Sequence, residues 1–125
     1  MNFRFTAEDI GYCADIVEAE TMVFGEEFIG RIDDIKENLK TIDNFIFVGS
    51  DEMKPSYAEA FVDFLETSSL DDPGRKIGLL DEAALYFTSG TTGSPKPILL
   101  THRNLETACI TENRHHNQTH EDTFL

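Results

Sequence analysis

Short runs of apolar residues alternate with stretches whose apolar residues recur at helical spacing, and this alternation most limits the fold. The apolar runs predict buried strands at residues 21–24, 44–48, 83–87 and 97–100, and another strand is predicted to begin at Thr123. Strands that are apolar almost throughout are typical of a parallel sheet buried on both faces, with helices as crossover connections. The sequence therefore predicts an α/β fold with a parallel sheet flanked by helices.

Capping residues mark where three of the helices are expected to begin. Thr6 and Thr101 each precede a helical stripe of apolar residues, and both are predicted N-caps. Ser56 and Glu59 have the spacing of a capping box, which predicts that a third helix begins there. Residues 67–82 contain several Gly, Pro, Ser and Asp residues and are predicted to form a surface connection.

The acid content of the chain excludes two classes of partner. The 125 residues contain 24 Asp+Glu and 10 Lys+Arg, a net charge of −14. Nucleic acids and anionic membrane surfaces attract basic faces, so neither is expected to bind this chain. We expect a cytoplasmic protein, because no apolar run reaches the roughly 18 residues of a transmembrane segment and no signal region opens the sequence. Cys13 and Cys109 have no metal-ligand spacing and are predicted to be buried thiols.

One window of the sequence contains no acid. Residues 83–105 lack Asp and Glu but contain Lys96 and Arg103, whereas residues 1–84 have 7 basic and 20 acidic residues, a net charge of −13. Residues 88–96 within this window read T-S-G-T-T-G-S-P-K. Glycines let backbone N–H groups approach an anion closely, hydroxyls donate hydrogen bonds and a lysine adds positive charge. The composition predicts a phosphate-binding loop.

This loop differs from the two best-known nucleotide-binding motifs. A Walker A loop would need Gly where Pro95 stands, and Ser or Thr where Pro97 follows Lys96. The glycine spacing also fails the G-x-G-x-x-G pattern of dinucleotide-binding folds. A phosphate loop of another class is therefore expected.

The acid-free window resembles a known signature. Residues 86–96, Y-F-T-S-G-T-T-G-S-P-K, are similar to the signature of the adenylate-forming (AMP-binding) enzymes, which include acyl-CoA synthetases, peptide-synthetase adenylation domains and luciferases. Residues 101–105, T-H-R-N-L, resemble the segment after that signature, and residues 6–24 and 39–49 resemble acyl-CoA synthetases more weakly. The resemblance implies that residues 1–125 are a partial AMP-binding N-terminal domain with its phosphate-loop signature at 86–96.

The resemblance also implies a role for each residue of the loop. In these enzymes the loop holds the β- and γ-phosphates of ATP while a carboxylate attacks the α-phosphate, and a thiol such as that of CoA then takes the acyl group. The residues implied to bind the phosphates are Thr88, Ser89, Gly90, Thr91, Thr92, Gly93 and Lys96. Lys96 is implied to neutralise charge on the departing pyrophosphate and not to act as a general base. ATP and Mg²⁺ are the implied cofactors, with CoA as co-substrate of the complete enzyme.

The sequence departs from the family pattern in two respects. Pro97 stands where the family usually has Gly, and because proline has no backbone N–H, any phosphate contact made by that amide is lost. The later family motifs, which bind adenine and ribose and supply a C-terminal catalytic lysine, are absent. We therefore expect the chain to be a segment of a longer ligase that is inactive alone, and an exposed edge of its parallel sheet to promote self-association.

Other functions stay open on the sequence. The upstream resemblance favours a carboxylate–CoA ligase, of the long-chain fatty acid group, over an adenylation domain of a peptide synthetase. A different class of function is a short, non-catalytic module that binds nucleotide or docks on a partner.

The histidines invite a metal hypothesis that the sequence does not favour. His116 and His120 are four residues apart, the spacing of two ligands on one helix face. The residues between them resemble the end of a helix, so a solvated segment is expected and no metal ligand is predicted. His102 and Arg103 are expected to solvate the first turn of a helix and not to act as an acid and a base.

Overall fold

The computed structural model describes residues 2–88 and 95–123, which form two units, Met1–Asp71 and Asp72–Leu125, with separate sheets. The strands are β1 Thr21–Gly25, β2 Asn44–Val48, β3 Glu59–Ala60, β4 Glu82–Thr88 and β5 Lys96–Thr101. The α-helices are α1 Ala7–Ile16, α2 Ile29–Ile35, α3 Phe61–Thr67 and α4 His102–His116. Short 3₁₀ turns lie at Glu26–Phe28, Lys36–Asn38 and Asp51–Met53.

The first unit is built on a parallel sheet with the strand order β1-β2-β3. β1 pairs with β2 from Thr21 opposite Asn44 to Gly25 opposite Val48. Parallel neighbours need a crossover connection, and α2 lies in the segment that joins these two strands. Because α1 packs on α2 and α3 packs on β2, the predicted α/β fold with a parallel sheet flanked by helices is confirmed.

The core of this unit is apolar and rich in aromatic rings. Ile10 of α1, Ile32 of α2 and Phe47 of β2 are each at most 1% exposed. They belong to one cluster that also contains Met22 and Phe24 of β1, whose alternation turns every second side chain inward. Helices and sheet therefore share a single core in this unit.

One predicted helix start is right and one is wrong. The Asp9 N–H donates to Thr6 Oγ1 at 3.2 Å, and the Thr6 N–H donates to Asp9 Oδ2 at 2.9 Å, so α1 begins with a capping box. The capping box predicted at Ser56 and Glu59 does not form. Glu59 pairs with β2 as part of β3, so its backbone belongs to the sheet and α3 begins only at Phe61.

The second unit consists of a hairpin, β4–β5, followed by α4. The pairing is antiparallel, from Glu82 opposite Thr101 to Thr88 opposite Lys96. This differs from the parallel pairing predicted for these strands. Only seven residues join them, whereas a parallel crossover needs about a dozen or more. Pro95 is the one buried residue among the described residues of this unit.

The two cysteines differ in their surroundings. Cys13 is buried as predicted, and burial raises the pKa of its thiol. Cys109 is exposed, so the prediction is wrong there, because α4 packs on β5 but buries none of its own residues. Within the described ranges, no helix is long and apolar enough to cross a bilayer. The strand predicted from Thr123 lies outside those ranges beyond its first residue.

Tyr57 lies in an aromatic cluster beside a charged pair. Its ring centroid is 5.3 Å from that of Phe45 and 6.4 Å from that of Phe24. The Lys36 ammonium lies 4.8 Å from the Tyr57 ring centroid and 2.9 Å from a carboxylate oxygen of Asp33. Burial of the phenol and the nearby Asp33 charge raise the pKa of Tyr57 to about 12. The Tyr57 hydroxyl is buried and has no hydrogen-bond partner among the described residues.

Replacing Phe47 by Ala should lower the free energy of unfolding of the first unit by about 3–5 kcal/mol, because the buried ring is lost and a cavity is left. Phe3→Ala is the matched control, since Phe3 is 67% exposed, and it should cost less than about 0.5 kcal/mol. Urea unfolding followed by circular dichroism measures both. Equal losses in the two variants would contradict a core centred on Phe47.

The raised pKa of Tyr57 predicts a loss of stability in alkali. Below pH 10 the phenol is protonated in both states and adds nothing, but between pH 10 and about 12 only the unfolded chain ionises it. The free energy of unfolding should therefore fall across that interval. Unfolding measured at several pH values should give a flatter dependence for Tyr57→Phe than for the parent. The exposed Tyr86, changed to Phe, is the control, and an unchanged slope in Tyr57→Phe would refute the assignment.

Candidate functional site

The two ends of the predicted phosphate loop meet across the hairpin. Thr88 is the last residue of β4, Lys96 is the first residue of β5, and the register places them opposite each other. The remaining predicted phosphate-binding residues lie outside the described residues, and they are Ser89, Gly90, Thr91, Thr92 and Gly93. Of the predicted set, the structure thus brings Thr88 and Lys96 together.

The Lys96 side chain is exposed and carries its charge into solvent. Within residues 2–88 and 95–123, no carboxylate lies at ion-pair distance from it. The acid in β4, Glu82, stands at the other end of the strand, about 20 Å along the chain at the rise of an extended strand. A lysine without a carboxylate partner is available to an anionic ligand.

Pro97 lies in β5 opposite Phe87. Proline cannot donate a backbone hydrogen bond, and within sheets it is found at edge strands or strand ends. β5 is an edge strand of a two-stranded sheet, and Pro97 is its second residue, so the fold accommodates the departure from the family pattern. Its effect on phosphate binding stays a prediction.

Helix α4 starts at the residue that follows the hairpin. The predicted N-cap, Thr101, is confirmed: its Oγ1 accepts from the Asn104 N–H at 3.4 Å, and its N–H donates to Asn104 Oδ1 at 2.9 Å. Sequence reasoning found the cap but missed Asn104 as its partner. The signal was present, because the two residues have the three-residue offset of a capping box.

A turn before β4 holds the first residues of α4. The Gly78 N–H donates to Asp81 Oδ2 at 2.8 Å and closes the turn. The His102 N–H donates to the Asp81 carbonyl at 3.1 Å, and the Arg103 N–H donates to the Leu79 carbonyl at 2.8 Å. The sequence analysis predicted these residues to form a surface connection. It gave no indication that Asp81 contacts α4, since Gly and Asp indicate only a turn.

His102 and Arg103 begin α4 at this turn. Arg103 is exposed, and His102 lines a shallow cleft of about 270 Å³ with Ile77, Leu79 and Glu106. The cleft is small and open. Glu106 is the other polar side chain of its lining, and it forms no ion pair with His102.

The remaining histidines lie at the end of α4 and beyond it. His116 Nε2 is 3.2 Å from Glu112 Oε2, one helical turn earlier. Asn117 has a left-handed backbone conformation, with φ 51°, and ends the helix before His120. In the part of the chain that the structure describes, no three ligating side chains lie close enough to hold a metal ion.

Comparison with known proteins gives a family and several relatives. The sequence profile of the family described as AMP-binding enzyme matches residues 1–125. The 3-methylmercaptopropionyl-CoA ligase of Ruegeria pomeroyi is 30% identical over 108 residues, which cover 83% of this chain and 20% of that protein. The long-chain-fatty-acid–CoA ligase of Thermus thermophilus is 27% identical over 106 residues, 83% of this chain and 18% of that protein.

A solved structure supports the same fold. The crystal structure of an anthranilate CoA ligase in complex with anthranoyl-AMP superposes with a TM-score of 0.81 at 21% identity, covering 88% of this chain and 21% of that one. The chain spans about a fifth of the length of the relatives that it matches. The resemblance identified from the signature is therefore confirmed, and the chain belongs to the family of AMP-binding enzymes.

Proposed function

We propose that the chain is the phosphate-binding segment of an ATP-dependent carboxylate–CoA ligase and that residues 1–125 are part of its N-terminal domain. The observation that carries the proposal is the pairing of Thr88 with Lys96 at the two ends of the signature loop. The absence of acid from residues 83–105 supports an anionic ligand. Two relatives are CoA ligases by name, which supports the reaction class.

In this proposal Lys96 supplies positive charge beside the β- and γ-phosphates, where negative charge grows as pyrophosphate departs. Thr88 donates its hydroxyl from the opposite strand. Further phosphate contacts come from Ser89, Gly90, Thr91, Thr92 and Gly93. Hydroxyl oxygens are ligands that suit Mg²⁺, so a loop hydroxyl would hold the ion, which would supply neutralisation of phosphate charge. CoA enters as co-substrate of the complete enzyme.

We take the carboxylate to be a fatty acid, in line with the resemblance upstream of the signature and with the name of the Thermus thermophilus relative. The adenine, ribose and C-terminal lysine motifs are absent from these 125 residues, so we expect no turnover from this chain alone. A cytoplasmic location stays a prediction from the sequence.

Lys96→Ala, made in the complete ligase that contains this segment, should slow carboxylate-dependent exchange between ATP and pyrophosphate. A hydrogen bond to a charged group contributes about 1.5–3 kcal/mol, so kcat/KM should fall about 10- to 150-fold. Lys76→Ala is the matched control, because it removes the same charge from an exposed position of the same unit. ATP–pyrophosphate exchange at the parent rate in Lys96→Ala would contradict the proposal.

The edge strand β1 should promote self-association of this chain. β1 pairs only with β2 among the described residues, contains no charge or proline, and exposes half of the Val23 side chain. Sedimentation velocity should show oligomers that increase with concentration, and Val23→Lys should reduce them. Val62→Lys, on α3, is the control at a similarly exposed residue. A parent chain that stays monomeric at high concentration would contradict the prediction.

A further inference from the structure

The hairpin β4–β5 is apolar on both of its faces. Successive side chains of a strand point to opposite faces, yet Leu85 and Tyr86 are both exposed, and so are Ile98 and Leu99, at 39–56%. A slip of one residue would exchange the two faces of a strand, and burial normally forbids it. Here the faces are nearly equivalent within the unit, so burial does not select the register.

The connection between the strands is longer in sequence than the tightest hairpin turns. Two-residue turns fix the pairing of a hairpin most tightly, through the backbone geometry they require. Thr88 and Lys96 are separated by seven residues of sequence. Among the described residues, hydrogen bonds that can hold the register lie at the other end of the hairpin, where β4 begins and β5 ends.

Asp81 joins the turn before β4 to the first residue of α4 at that end. Its carboxylate accepts from the Gly78 N–H at 2.8 Å, its own N–H donates to the Gly78 carbonyl at 3.1 Å, and its carbonyl accepts from the His102 N–H at 3.1 Å. His102 directly follows Thr101, the last residue of β5, and Asp81 directly precedes Glu82, the first residue of β4. The Asp81 turn thus holds the start of one strand against the end of the other.

The neighbouring contacts make this connection specific. The capping box of Thr101 with Asn104 fixes where β5 ends and α4 begins. Glu82 lies opposite Thr101, and a register irregularity between Glu82 and Ala84 follows before the regular ladder. An irregularity of this kind adds one residue to one strand, so every later pair depends on its position.

We infer that Asp81 is a positioning residue that sets the register of the hairpin and thereby places Lys96 opposite Thr88. The register role stands on the hydrogen bonds of Asp81, while its importance for phosphate binding rests on the function proposed for Lys96. The Asp81 carboxylate closes the turn that presents the Leu79 and Asp81 carbonyls to the Arg103 and His102 N–H groups. Its loss should open that turn, let β4 slip along β5 and carry Lys96 away from Thr88.

The test is an NMR comparison of the full chain with Asp81→Ala, Asp81→Asn and Asp72→Ala. Asp72 accepts from the Gly74 N–H at 2.8 Å in a segment outside both strands, so its removal deletes an equivalent hydrogen bond without touching the hairpin. Cross-strand nuclear Overhauser effects report whether Leu85 lies opposite Leu99. Pyrophosphate binding, followed by ³¹P NMR, is measured on the same samples.

Asp81→Ala should show a second set of cross-strand signals, with Leu85 opposite Ile98 or Leu100, and the population of slipped hairpin should rise about tenfold or more. Asp81→Asn, which keeps an acceptor oxygen, and Asp72→Ala should both keep the parent register. The parent register in Asp81→Ala would overturn the inference. A slipped register in Asp81→Asn would also overturn it. If Asp81→Ala loses the hairpin altogether, the register of Asp81→Asn decides the test.

Pyrophosphate binding separates this inference from the proposed function. If the parent chain binds no pyrophosphate while Asp81→Ala slips and Asp81→Asn does not, the register role of Asp81 is supported and the proposed function fails. If the parent binds and Asp81→Ala weakens binding together with the slip, both are supported. Weakened binding without a slip overturns the role given to Asp81.

Discussion

The antiparallel ladder between β4 and β5 is the interaction on which the candidate site depends. It alone brings Thr88 and Lys96, eight positions apart in the sequence, to opposite places in a sheet. A lysine on a free loop loses side-chain and backbone entropy when it binds an anion. A lysine that begins a paired strand has its backbone ordered already, so less of the contact energy would be offset in the phosphate binding that we propose.

The first unit is stabilised mainly by its buried apolar core. Its parallel sheet is held by a core in which α1, α2, β1 and β2 each contribute buried apolar residues. The surface around this core carries a strongly negative charge. The Lys36 ammonium contacts both the Tyr57 ring and Asp33, and it offsets part of that charge locally. The unit owes its stability to packing, and the acids remain at its surface.

Local signals explain what the sequence could predict of the fold. The N-caps at Thr6 and Thr101 depend on residues three positions away, so a pattern found them. The two-residue strand that contains Glu59 exists only because β2 lies beside it, and a capping-box pattern cannot contain that contact. The antiparallel pairing of β4 with β5 was available from the short connection, which outweighs the apolar runs that suggested a parallel sheet.

For the candidate site, too, residues with a local sequence signal were predicted and residues that act through distant contacts were not. Residue types and spacing predict Lys96 and the loop hydroxyls as phosphate ligands, because a phosphate needs such donors. The sequence analysis did not predict that Asp81 contacts His102 or that Asn104 completes the cap at Thr101. Asp81 acts through its carbonyl on His102, 21 positions later in the chain, and such a contact leaves no mark in local composition.

The near absence of buried side chains from the described residues of the second unit has a consequence for ligand affinity. A segment with so little burial opens locally at a lower free energy than the core of the first unit. A ligand that binds only the closed hairpin stabilises it, and by linkage its apparent affinity is reduced by the fraction of chains in which the hairpin is open. Any contact that covers the apolar faces of β4 and β5 would therefore tighten the proposed phosphate binding without touching the phosphate.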